Sequence, residues 1–242
     1  MVDRSRAPSL LDAQRWRESE GATVCGVYLP GPCAVADQPT WTHDVVRWLL
    51  ETGWGLIFIY PGPQRGCHSD LLSADMAPVL AEEITESLTS LLPDLPITTP
   101  VPVAIDVEAI TSEFAPVRAR EYAVALADEL FRRGYYPGVY GVASFLRTLE
   151  PRSPMWVWVA SWVRSDWDDS LDLAHIPGFP DELWAYDNQR IWQFASVVDR
   201  WLDLNYGNVE PCRLKEEQTG SGVREKLQTI ITLAQEALDE LI

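Results

Sequence analysis

Lysine is nearly missing from this chain. Lys215 and Lys226 are its only examples in 242 residues, so arginine supplies almost all the positive charge. Acidic side chains outnumber basic ones by 36 to 19, a formal net charge of −17. Such a protein is repelled by nucleic-acid phosphates and by anionic lipid headgroups, and no basic cluster offsets the repulsion. Nucleic acid is therefore excluded as a partner. No charge-free run reaches the ~18 residues of a membrane-spanning helix. The longest, Gly21–Ala36, is interrupted by glycine and proline, so no membrane insertion is expected. Histidine is scarce as well: His43, His68 and His175 stand far apart, and no Cys-x-x-Cys pair occurs. These residues predict no metal site and no cofactor. Met1–Arg17 is charged throughout and lacks the apolar stretch of an export signal, which predicts a cytoplasmic protein unless it leaves by another route. In that compartment Cys25, Cys33, Cys67 and Cys212 are expected as reduced, structural thiols. Cys33 and Cys67, each after a strand-like segment, stay open as a redox or bridging pair.

What is present is a globular composition, 47% hydrophobic, in which short apolar runs alternate with helical patterns. Val2–Arg4 can form a short first strand, and Ser9 with Asp12 three residues later reads as a capped helix start. Thr23–Leu29 and Leu56–Tyr60 are continuous apolar strands, each ended by Pro-Gly-Pro. Thr40–Glu51, Met76–Leu92 and Val117–Arg133 read as helices. Val101–Ile105, Tyr135–Tyr140 and Met155–Ser161 continue the strands, and Arg190–Ala195 and Trp201–Asn205 supply the last two. Strand and helix alternating in this way imply parallel strands with helical crossovers. Unbroken apolar strands fit a sheet covered on both faces. Eight of them predict an α/β fold, a (β/α)8 TIM-type barrel over residues 1–210, with a doubly wound sheet as its rival. The gap at Ser196–Arg200 is too short for a helix, so the final unit is expected to be irregular. Residues 211–242 read as a linker and an amphipathic helix, with Leu227, Ile230, Ile231, Ala234, Leu238 and Leu241 on one face. That helix either packs on the barrel or serves self-association.

Chemistry is most concentrated at Asp106-Val-Glu108, directly after a strand. Residues two apart on a strand share a face at about 7 Å, and barrel active sites are built at the C-terminal strand ends. Two crowded carboxylates push one pKa up and leave an acid beside an anion, the arrangement that glycoside hydrolysis uses. Asp203-Leu-Asn205 ends the last candidate strand in the same manner, and Asp3 follows the first. In a closed barrel Asp3, Asp106, Glu108 and Asp203 converge on one mouth. Tyr60, Tyr140, Trp162, Trp192 and Trp201 stand at strand ends, where aromatic faces stack on sugars. Gln64 and Gln193 add neutral hydrogen-bonding groups. Trp158, in mid-strand, reads as core.

Taken together, Asp3 with Ala7-Pro-Ser9, Gly26-Val-Tyr-Leu-Pro-Gly31, Gly53-Trp-Gly-Leu-Ile-Phe-Ile-Tyr60, Gln64, Asp106-Val-Glu108 and Gly134-Tyr-Tyr-Pro-Gly-Val-Tyr140 resemble the bacterial glycoside-hydrolase-like domain of unknown function, akin to the family 25 lysozymes. The resemblance implies Glu108 as general acid, Asp106 and Asp203 orienting and stabilising the positive intermediate, and Asp3 completing the cluster. Water or the substrate's own acetamido group attacks the anomeric carbon. Tyr60, Gln64, Tyr140, Trp162 and Gln193 are expected as the sugar-binding wall, and peptidoglycan or another amino-sugar polymer as the partner. Muramidase-like hydrolysis and non-catalytic binding of glycan or protein both stay open. Two features depart from the family pattern. The usual Gly-Phe-Asp opening is Met1-Val-Asp3, which predicts a weakly held Asp3. The acidity, concentrated in residues 165–242, sets the chain against an anionic wall and shifts the expectation from a wall-lytic enzyme toward a glycosidase-like domain.

Overall fold

The structure, a computed structural model, describes residues 1–3, 7–34, 41–64, 67–68, 71–107, 116–149, 155–161, 176, 190–197 and 202–215. Its eight strands are β1 (Val2–Asp3), β2 (Val24–Tyr28), β3 (Gly55–Pro61), β4 (Pro102–Asp106), β5 (Tyr136–Val142), β6 (Trp156–Ala160), β7 (Arg190–Val197) and β8 (Leu202–Gly207). They pair in sequence order and close into a barrel. Among the described residues five α-helices accompany them: α1 (Leu10–Glu20), α2 (His43–Glu51), α3 (Ala77–Leu91), α4 (Pro116–Arg132) and the single turn α5 (Ala143–Leu146).

Local chemistry explains the boundaries. At α1 the Ser9 hydroxyl accepts from the Asp12 amide at 3.1 Å, while the Asp12 carboxylate accepts from the Ser9 amide at 3.2 Å. These bonds satisfy donors that a helix start leaves unpaired. Gly21, at φ 60°, turns the chain out of the helix in a conformation that glycine adopts without strain. α2 starts later than Thr40, because Thr42 is its cap. In α4 the buried face runs through Ala119, Tyr122, Ala123, Leu126, Ala127 and Leu130, and Phe131 is exposed.

The strands alternate between two layers, as a period of two requires. On β3, Leu56, Phe58 and Tyr60 join the outer core beneath the helices, whereas Ile57 and Ile59 face into the barrel. Trp156 and Trp158 of β6 fill the middle of that interior with Ala104, Tyr140 and Ile191. Gly138 makes room for them: a Cβ there would fall inside the Trp156 indole. The Tyr140 ring meets Trp158 edge-on, with centroids 5.3 Å apart. Fully burying a large side chain contributes about 1.5–3 kcal/mol, so this aromatic layer is a principal source of stability.

The irregular last unit takes a definite form. β1 to β7 run parallel in succession, but β8 is antiparallel to both β7 and β1. The short connection after Val197 has no length for a crossover helix, so the chain can only reverse. The stretch after residue 210, expected as a linker, is at first bonded to the barrel. Cys212 exchanges two backbone hydrogen bonds of 2.9 Å with Leu56, and the Lys215 amide donates to Pro96 at 2.8 Å. The expected helix over residues 223–241 lies outside the described residues.

Candidate functional site

β8 reversed corrects the expectation that Asp203 ends its strand. Asp203 stands near the start of β8, and the reversal itself carries it to the mouth, opposite Asp3 of β1. Asp3 is held firmly, against the expectation from its place in the sequence, and is 2% exposed. β1 lies between β2 and β8, and Met1, just before it, exchanges backbone bonds with Asn205 at 2.9 and 3.0 Å. Glycine is required beside it: a Cβ on Gly26 would come within 2.5 Å of the Asp3 Cβ. The Asp3 carboxylate accepts from the Tyr28 hydroxyl at 3.1 Å and from the Asn205 Nδ2 at 2.6 Å. The Asn205 Oδ1 accepts from the Trp158 Nε1 at 2.7 Å, so the aromatic floor is tied to the acid above it.

Asp106 closes β4 in the inward phase of Ala104 and is buried; Asp203 is half-buried. The Tyr28 phenol is bonded to Asp3 and lies within electrostatic reach of Asp106 and Asp203. Burial first, then the negative charges of Asp3, Asp106 and Asp203, push its pKa well above the ordinary tyrosine value. Tyr28 therefore stays a neutral hydrogen-bond donor through the physiological range. On the far wall the Tyr140 hydroxyl donates to the Gln193 Oε1 at 2.6 Å, and Gln193 pairs in register with Asn205.

The other predicted residues fall in different places. Tyr60 does not face the mouth. It is fully buried in the outer core, and its hydroxyl donates to Glu83 of α3 at 3.1 Å. The cause is phase, since Ile57 and Ile59 take the inward positions of that strand. Gln64 lies on the rim beyond β3, where its backbone exchanges bonds of 2.9 and 3.1 Å with Cys67. Glu108 and Trp162 lie outside the described residues, as does Trp201. Trp192 points outward, its Nε1 donating to the Ser161 carbonyl at 3.0 Å.

Sequence reasoning passed over Tyr28, although it ends a strand in the same phase as Gly26, the signal that singled out Tyr140. It also assigned Trp158 to packing alone. The pairing of Cys33 with Cys67, left open by the sequence, is a disulfide between the loops after β2 and β3. Among the described residues no group of three or more histidine, cysteine, aspartate or glutamate side chains is placed to hold a metal ion. No described helix is long and apolar enough to cross a membrane.

A closed eight-stranded barrel, with acidic residues gathered at one end, is a glycoside-hydrolase-like architecture. Residues 14–210 match the Rv2525c-like, glycoside hydrolase-like domain, and the chain belongs to that family. No curated protein matches the sequence. Among solved structures the fold is similar to the spore cortex lytic enzyme SleM of Clostridium perfringens, at 15% identity and TM-score 0.57, over 85% of this chain and 65% of that one. It is also similar to the Tat-secreted protein Rv2525c of Mycobacterium tuberculosis, at 14% identity and TM-score 0.55, over 86% and 94% of the two chains. A third is the modular autolysin LytC of Streptococcus pneumoniae, solved in complex with a synthetic peptidoglycan ligand. There the identity is 14%, the TM-score 0.53, and the coverage 87% of this chain and 44% of that one.

Proposed function

We propose that the mouth of this barrel binds an amino-sugar polymer of the peptidoglycan type and that its carboxylates hydrolyse a glycosidic bond. The observation that carries this reading is the buried Asp3, bonded to the Tyr28 hydroxyl and paired across the barrel seam with Asp203, at the end of the barrel where Asp106 closes β4. The naming of SleM as a lytic enzyme of spore cortex and the peptidoglycan ligand of LytC support it.

The roles follow from charge and hydrogen bonding. Both oxygens of Asp3 accept bonds from fixed donors, which holds the carboxyl group in one orientation at the mouth. Asp106 and Asp203 add negative potential where an oxocarbenium-like transition state develops positive charge. Glu108, two residues after Asp106, is the general acid that protonates the departing oxygen. That role needs a carboxyl that holds its proton until the bond breaks. Tyr140, Gln193, Gln64 and Trp162 bind the sugar, Tyr140 and Gln193 through the hydrogen-bonded pair on the wall.

The test is reducing-end release from purified peptidoglycan and from soluble chitin oligosaccharides. Glu108→Gln is expected to lower turnover by at least about 100-fold, the usual contribution of a general acid, while binding stays intact. Binding without release by either protein would make the mouth a glycan-binding module. Neither binding nor release would end the reading.

A further inference from the structure

We infer that the Cys33–Cys67 disulfide is a redox clasp on the barrel mouth, closed in an oxidising compartment and setting how well the mouth holds glycan. Its position is the first argument. Cys33 follows β2, the strand that carries Tyr28, and Cys67 follows β3, so the bond joins two neighbouring strand exits at the same end as Asp3, Asp106 and Asp203. The two Cα atoms are 5.8 Å apart although 34 residues separate them in sequence.

The second argument is what the clasp holds. Cys67 forms a reciprocal backbone pair with Gln64, and the Cys33 amide donates to the Pro61 carbonyl at 3.3 Å. The bond thus fastens the Gln64 turn against the loop beyond Tyr28. The third is contrast with the other thiols. Cys25 and Cys212 are buried away from this rim, and burial pushes the thiol of Cys212 up to about 12 and that of Cys25 higher still. They stay protonated and do not compete for exchange, so oxidation is directed to the rim pair.

Closure is ordinary thiol–disulfide exchange. One rim thiolate attacks a sulfur of a disulfide-bearing oxidant, and the second rim thiolate then displaces that sulfur. Two electrons pass from the rim cysteines to the oxidant, which leaves as a dithiol carrying the two protons. A disulfide persists in an oxidising compartment and is reduced in a cytosolic one, so a closed clasp places the working protein outside the cytosol. A peptidoglycan-type polymer lies there too, and the thiol count below decides between this inference and the cytoplasmic expectation. The effect on glycan rests on the function proposed above; the clasp and its compartment do not.

The experiment quenches thiol exchange with acid in cells that carry the protein to an oxidising compartment, then labels and counts thiols by alkylation in denaturant without reductant. Two free thiols, Cys25 and Cys212, are expected, and four would overturn the clasp. Reduced and alkylated protein, and the double variant Cys33→Ser with Cys67→Ser, are then compared with the oxidised form. Both should be cut about tenfold faster by protease at the rim, as local opening exposes backbone. Both should bind a soluble chitin oligosaccharide about tenfold more weakly, if the competent rim falls to a tenth of the population. Unchanged proteolysis overturns the clasp whether or not glycan binds. Unchanged affinity with faster cutting overturns its control of the site. Absence of binding in every form counts against the proposed function alone, because the thiol count and the proteolysis still judge the clasp.

Discussion

At the mouth the inward positions of the barrel are Asp3, Tyr28, Asp106, Tyr140, Gln193 and Asp203; at the base they are Val24, Ile57 and Ile191, around a cavity of about 600 Å³. The same strands make both ends, and the layer of Trp156 and Trp158 divides them. The contrast shows how a protein keeps acids at the end of an apolar tube. A buried anion is costly unless donors replace its water. Here Tyr28 and Asn205 supply them, and Asn205 is itself oriented by a tryptophan of the dividing layer. The base has no carboxylate among those inward strand positions, and its cavity is lined by aliphatic and polar groups alike, Val24, Ile57 and Ile191 beside Thr23, Glu20 and Asn205.

Four substitutions or conditions would break or sharpen this division. Trp158→Ala removes the floor and the donor to Asn205 together, and should cost about 3–5 kcal/mol in chemical denaturation. A loss no greater than the ~0.5–1.5 kcal/mol expected of Ile191→Val at the base would mean that the dividing layer is not special. Asn205→Ala leaves the Trp158 indole N–H and one oxygen of Asp3 without their partner. About 1–3 kcal/mol should be lost, and glycan affinity should fall with it, since the acid it orients belongs to the mouth.

Alkali tests the thiols of the outer core. Cys212 and Cys25 titrate higher in the folded chain than near the ordinary value of about 9, so the unfolded chain loses protons first as pH rises. Stability is full below pH 9 and declines by about 1.4 kcal/mol per pH unit for each thiol up to about pH 12. Cys212→Ala should make the decline measured by urea unfolding shallower; an unchanged slope would remove Cys212 from the account. The smallest effect belongs to Tyr60→Phe. Loss of its bond to Glu83 should cost about 1 kcal/mol and leave glycan binding untouched, because the ring faces the helices. Weaker binding would return Tyr60 to the mouth.

Most of the barrel was legible because its signals are local. A hydroxyl and a carboxylate three residues apart mark the start of α1, and continuous apolar runs mark the strands to within a residue or two. Direction was not legible for β8. The short gap before it excludes a helix, but parallel or antiparallel pairing is decided by the whole closing barrel. The candidate site divides similarly. Asp106 was readable from a strand end, whereas Tyr60 and Tyr28 end adjacent strands and differ only in phase, which a continuous apolar run conceals. The firmness of Asp3 depends on Asn205, about 200 residues away, and no local pattern reports such a contact.

The reversed β8 also decides how the molecule can be held. After Gly207 the chain passes beneath β3 and reaches Pro96 at the base, on the side away from the acids. A tether attached beyond Lys215 therefore pulls on the base, and an immobilised protein would present its open end to the solution. Orientation on a sensor surface follows from the direction of one six-residue strand.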